Sequence, residues 1–173
     1  MRISCLLVGI TLLICTTITQ VFAQDANQGA IILNQSSAFL KNAKSKEDLE
    51  KARDGFQKAY EIFLRTRNLK EAAIAASQIG FVKSRLGDLK GALDYYDKVY
   101  KYMVSAKDLA SAWKTRFNMA EIYERLGQYS ESQKALNEVL ELCGQPGDPA
   151  CLRAALDGLG SINWRKGNLK EAL

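Results

Sequence analysis

The chain has 173 residues, of which 47% are apolar and 25% charged, with two prolines and a net charge of +5. That mixture is one domain's worth of helix-rich, folded material and excludes a disordered chain. Histidine is absent, which leaves the chain without the commonest general base near neutral pH and the commonest metal ligand.

The first 23 residues differ from the rest. Arg2 is the only charge before Asp25, and the stretch between them is apolar and ends on small residues at Val21 and Ala23. A basic residue, an apolar run and small residues at −3 and −1 predict a signal peptide cleaved after Ala23. The mature chain, 24–173, would then be exported, periplasmic or secreted. An uncleaved anchor is the rival reading, because Ile3 to Ala23 could just span a bilayer core of roughly 30 Å. Thr16, Thr17, Thr19 and Gln20 weigh against it. A membrane is therefore expected as a partner only through this segment, if it stays uncleaved. Cys15 follows Leu12, Leu13 and Ile14, where a lipoprotein signal needs a small residue. Loss of Arg2 leaves 23 basic against 19 acidic residues. This balance is too mild to predict a nucleic-acid partner, and binding of other polyanions would rest on it alone.

After the leader the sequence repeats itself. Gly87, Gly127 and Gly167 are 40 residues apart, each in a similar setting: Arg85-Leu86-Gly87-Asp88-Leu89, Arg125-Leu126-Gly127-Gln128-Tyr129 and Arg165-Lys166-Gly167-Asn168-Leu169. The frame extends back, with Leu49, Ala52 and Phe56 answering to Leu89, Ala92 and Tyr96. Each glycine can end one helix in the left-handed conformation and let a second begin at once. Upstream, Ile79–Gly80, Met119–Ala120 and Leu159–Gly160 recur, the small member allowing close helix approach. Downstream, Ala92, Tyr96, Val99 and Tyr100 form a helical stripe, echoed by Ser132, Leu136, Val139 and Leu140. One hairpin cannot bury both stripes, so neighbours must stack. First helices are predicted near 29–45, 69–85, 108–125 and 149–165, and second helices near 47–64, 88–103 and 128–142. A further one begins at Asn168. The repeats then fall at about 29–66, 67–106, 107–148 and 149–173, the last incomplete.

Ala52-x-x-x-Phe56, Ala92-x-x-x-Tyr96 and Met119-Ala120-x-x-Tyr123 resemble the tetratricopeptide repeat, in which Leu-Gly-x-x-Tyr on a first helix is followed by Ala-x-x-x-Phe on a second. The resemblance implies an all-α, tetratricopeptide-like α-solenoid of stacked antiparallel helix pairs. Three departures mark an extended variant. The family's tryptophan is replaced by Ala76, Arg116 and Leu156, its closing proline is missing, and the period is 40 instead of 34.

The resemblance also implies a function, that of an adaptor holding a protein or peptide in a concave groove. Carried onto this chain, groove positions fall at Ile74, Gln78, Phe81 and Arg85, then at Lys114, Phe117, Asn118, Glu121 and Arg125, then at Asp157, Trp164 and Arg165. Aromatics beside arginines are hot-spot chemistry. The plainer reading packs Phe81, Phe117 and Trp164 between helices and sets the arginines on helix C-terminal carbonyls. The carboxylate-clamp subclass is not expected. Lys114 and Asn118 fit isolated slots, but Ser37, Ser77, Phe81, Ala154 and Gly158 fill others.

Cys143 and Cys151 flank a short loop. They permit a disulfide, a reactive thiol at a helix start, or two inert residues. No nucleophile–base pair, phosphate loop or metal motif is present, so neither catalysis nor a cofactor is expected. A fourth helix pair stopping at Leu173 suggests a second reading, in which these repeats form the docking or sensory arm of a longer enzyme such as a caspase-like protease or sensor kinase.

Overall fold

The computed structural model describes residues 2–144 and 148–167, with the backbone alone over residues 2–19, and all regular structure among them is helical. Seven helices follow in order: α1 (Arg2–Lys41), α2 (Lys46–Arg65), α3 (Leu69–Arg85), α4 (Leu89–Ser105), α5 (Leu109–Arg125), α6 (Tyr129–Cys143) and α7 (Pro149–Arg165). They form two compact units, Met1–Ala75 and Ala76–Leu173. The helix expected from Asn168 lies outside the described residues.

The expected boundaries of the first helix, near 29 and 45, are the ones that shift. The apolar leader is helical too, so α1 runs unbroken from Arg2 through Ala23. At its other end α1 stops at Lys41, because a capping box starts the next helix. The Asp48 N–H donates to Ser45 Oγ at 3.0 Å, while Asp48 Oδ2 accepts the N–H groups of Lys44 and Ser45 at 3.0 Å each. These bonds fix Ser45 as N-cap and force a break before it. They also hold the Asp48 carboxyl below its ordinary value, the Lys44 N–H contributing most.

In the first unit α1 runs antiparallel to α2. Asp25 pairs with Arg65 at 3.0 Å, and Gly29 lies against Ile62 and Phe63. Ala59, Phe63, Ala72 and Ala75 are buried together, with Ala30, Ile32, Leu33 and Tyr60 packed on them. Among the described side chains, contact with α2 is thus made from Asp25 onward. One turn earlier, Val21 and Phe22 are exposed.

In the second unit α4, α5, α6 and α7 pack in sequence, and α5 also touches α7. The second-helix stripe is the core in both units. Ala52, Phe56, Ala59 and Phe63 in α2 recur as Ala92, Tyr96, Val99 and Met103 in α4, and as Ser132, Leu136, Val139 and Cys143 in α6. Burying each large member is worth about 1.5–3 kcal/mol. The small residues of the first helices admit this packing. A Cβ on Gly80 would stand 3.2 Å from the Tyr96 ring, and at the matching place Ser132 Oγ donates to the Ala120 carbonyl at 2.8 Å.

Cys143 and Cys151 are joined as a disulfide with their Cα atoms 5.6 Å apart. Both are buried with Val139 and Ala155, and Trp113, Phe117 and Leu140 cover them. Asp148 caps α7 through the N–H groups of Ala150 and Cys151, which places Cys151 in the first turn facing the end of α6. Closing so short a loop restricts the unfolded chain by about 2–3 kcal/mol.

The turns repeat at half the period read from the glycines. Gly87 and Gly127 have positive φ, and so do Arg67 and Lys107, both at 57°. All four turns close alike. The next N–H returns to the carbonyl five residues back: Asn68 to Phe63, Asp88 to Lys83, Asp108 to Met103 and Gln128 to Tyr123, each at 2.9 Å. This is the Schellman closure. A residue with a side-chain oxygen then begins the next helix, and at Asp88 and Asp108 its carboxylate accepts an N–H of the first turn. Between repeats, however, the left-handed position is filled by arginine or lysine, which costs about 1 kcal/mol relative to glycine. A Cβ on Gly127 would meet nothing within 4 Å, so its substitution probes backbone strain alone. We expect Gly127→Ala to destabilise by about 1 kcal/mol and Lys107→Gly to stabilise by a similar amount or less. Urea denaturation checks the pair, and shifts of the same sign would contradict a common left-handed requirement.

Candidate functional site

The second unit contains a cleft of about 810 Å³ whose walls are the C-terminal halves of α3 and α5 and the end of α7. Six of the expected groove residues line it: Phe81, Arg85, Asn118, Glu121, Arg125 and Arg165. Helical spacing explains the convergence, since 81 and 85 on α3, and 118, 121 and 125 on α5, each share one face.

The other expected residues go elsewhere. Gln78 is half-buried on α3, outside the cleft. Lys114 is exposed, with its ammonium 5.7 Å from the Trp113 ring centroid. Phe117 belongs to the core, packed on Ala120, Ala135, Leu136 and Ile162 and on the disulfide cluster. Trp164 is 65% exposed and does not line the cleft.

The arginines before the turns have distinct tasks. Arg125 Nη1 donates to Ser84 Oγ at 2.5 Å and Nη2 to the Ser84 carbonyl at 3.0 Å. It therefore ties α5 to the last turn of α3, where unpaired carbonyls and the helix dipole favour a cation. Arg165 Nε pairs with Glu124 Oε1 at 2.5 Å, and Ser161 Oγ donates to the same oxygen at 3.1 Å. In both pairs the acceptor precedes the arginine by 41 residues, one repeat and one position. Arg85 sits 5.9 Å from the Phe81 ring centroid, and Phe81 is 44% exposed.

Ser84, Tyr96, Glu124 and Tyr129 complete the site and were not picked out by sequence. The 41-residue offset would have pointed to Ser84 and Glu124. Tyr96 and Tyr129 enter from the second-helix side, where the stripe marks Tyr96 only as core and the repeat marks Tyr129 only as part of a turn. Burial raises the Tyr96 phenol to about 12, the Glu121 charge adds to this, and a hydrogen bond from Asn118 opposes it. Tyr96 is therefore a neutral hydroxyl on the cleft floor.

Glu121 is held above the ordinary carboxylate value, first by desolvation and then by the Glu124 charge, with Arg125 opposing. A carboxyl whose folded pKa exceeds its unfolded one costs stability when ionised. That cost is absent below the unfolded value of 4.5 and complete above the folded one. Glu121→Gln should therefore raise the melting temperature at pH 7, and the gain should vanish below pH 4.5. Melting curves at both pH values check this; a gain that persists in acid would place its origin outside the Glu121 charge.

Residues 108–173 match the model of the tetratricopeptide repeat family. No curated protein matches the chain. Among solved structures it is similar to the nearly identical TPR-like repeats of a Podosopora anserina protein described as a kinesin light chain. There the identity is 17%, the TM-score 0.69, and the match covers 88% of this chain and 77% of the other. It is also similar to BtubC (BKLC) from P. vanneervenii, with 11% identity, a TM-score of 0.55, and coverage of 87% of this chain and 69% of that one. These likenesses carry the fold: the chain is a tetratricopeptide-like α-solenoid, and its segment 108–173 has the sequence pattern of tetratricopeptide repeats.

Proposed function

We propose that the protein is an exported binding scaffold that holds an extended peptide or a partner helix in the cleft of its second unit. The observation that carries this reading is the cleft itself. It runs between the ends of α3, α5 and α7 and is lined by an exposed ring, three guanidiniums, two carboxylates and amide and hydroxyl groups. Large rigid area beside charge-assisted donors is what a protein interface concentrates at its centre. Phe81 is a side chain that can serve a ligand without loosening the repeats, since Phe117 is core, Arg125 ties α5 to α3 and Asn118 bonds the Tyr96 hydroxyl. With Phe81 changed to alanine, peptides selected from a display library on the full chain should bind about tenfold more weakly. Circular dichroism should meanwhile be unchanged. Undiminished binding would move the interaction off the cleft.

Export rests on the leader: Arg2, the apolar run and the small residues Val21 and Ala23. Asp25, two residues past the proposed cut, already pairs with Arg65 of α2. Removal of residues 1–23 therefore takes nothing from the first unit's described core. Expressed with its leader in a secreting host, the chain should be recovered outside the cytoplasm with Gln24 as its first residue. An N-terminal sequence still beginning at Met1 would defeat the cleavage reading.

A further inference from the structure

We propose that the cleft selects an acidic side chain, read by Arg85 and flanked by an apolar residue lying on Phe81. The inference rests on the cleft being a peptide site and adds the chemistry of its ligand. Three arginines occupy equivalent places before the turn glycines, and two already have oxygen acceptors one repeat back: Ser84 for Arg125 and Glu124 for Arg165. Among the described residues Arg85 has the Phe81 ring and no carboxylate or hydroxyl.

A guanidinium held over an exposed ring keeps its planar fork available for a carboxylate. The neighbouring ring offers the apolar surface that makes such a pair more than a solvated contact. Elsewhere in the cleft the charges are matched differently. Glu124 is satisfied by Arg165 and Ser161, while Glu121, on the α5 wall, repels a second carboxylate and accepts a donor. The fitting ligand is therefore not a polyacidic tract. It is a segment with a single acid next to an aliphatic or aromatic residue, followed by uncharged or donor groups.

The test uses the full chain and three capped peptides, Gly-Ser-Leu-Phe-Glu-Ser-Gly and its versions with Gln or Lys in place of Glu. Binding is followed by NMR through the arginine Nε–H signals and the Phe81 ring. The Glu peptide should bind about tenfold tighter than the Gln peptide at low salt and shift the Arg85 signal. Arg85→Gln should erase that difference, and Arg85→Lys should restore only part of it, since an ammonium lacks the fork. Circular dichroism confirms that both variants are folded. Equal affinity for the Glu and Gln peptides, both perturbing Phe81, would overturn the acid preference and leave the peptide site standing. So would an acid preference that survives Arg85→Gln, or tightest binding by the Lys peptide. If none of the three perturbs Phe81 or Arg85, this proposal falls together with the peptide site.

Discussion

Each helix-to-helix step from α2 to α6 turns on one residue in the left-handed region, followed at once by a residue with a side-chain oxygen. Because Arg67, Gly87, Lys107 and Gly127 are spaced by 20 residues, the helices between them are held to nearly one length. Equal lengths keep the apolar stripe of each second helix level with the small residues of the first helices beside it. Gly80 beside Tyr96 and Ala120 beside Leu136 are the same contact one repeat apart. A slip of one residue at any turn would rotate the following stripe by about 100° and expose it. The spacing of the turns therefore governs the core, and the core in turn sets which helix faces converge on the cleft.

The arginines near the turns show how such a fold divides one residue type between structure and binding. Exposed ion pairs contribute little each, about 0–1 kcal/mol. The hydrogen bonds of Arg125 to Ser84 and the ion pair of Arg165 with Glu124 act at a particular place, the tips of adjacent first helices that wall the cleft. Their worth lies in registration more than in stability. Arg116 does similar work lower in the stack. It meets Glu138 on α6 at 2.7 and 2.9 Å and lies 5.4 Å from the Tyr100 ring, on a helix position where the family pattern has tryptophan.

The architecture could be read from the sequence because its signals are local. A glycine, an oxygen-bearing residue and a leucine or tyrosine mark the turns of the repeats, and the layout of α2 to α7 follows from them to within a few residues, while α1 begins well before its expected start. What escaped was the half-period. Arg67 and Lys107 do the work of glycine without looking like it, since nothing in an arginine or lysine advertises positive φ. The cleft was legible in part. Helical spacing placed Phe81, Arg85, Asn118, Arg125 and Arg165 on converging faces. It could not separate them from Phe117, which has the same spacing and hydrophobicity but turns toward α6 and α7. Which side of a first helix faces its own partner is decided by packing, and a stripe read from one helix lacks that information.

One position shows how little sequence change the scaffold needs to alter its surface. Ser84, Glu124 and Trp164 occupy equivalent places in successive repeats, next to the arginines. Serine gives the following arginine a neutral acceptor and its own carbonyl, and glutamate gives a charged one shared with Ser161. Tryptophan offers neither, and its ring is left largely in solvent. The backbone around the three does not differ, since each lies in the last turn of a first helix before a glycine of positive φ. In a repeat built this way the core stripe is bound by packing and the turn by backbone conformation, while the residue immediately before each turn arginine is bound by neither. Charge, hydrogen bonding and apolar area at the cleft rim can therefore vary from repeat to repeat without disturbing the stack, which is the property a recognition surface requires.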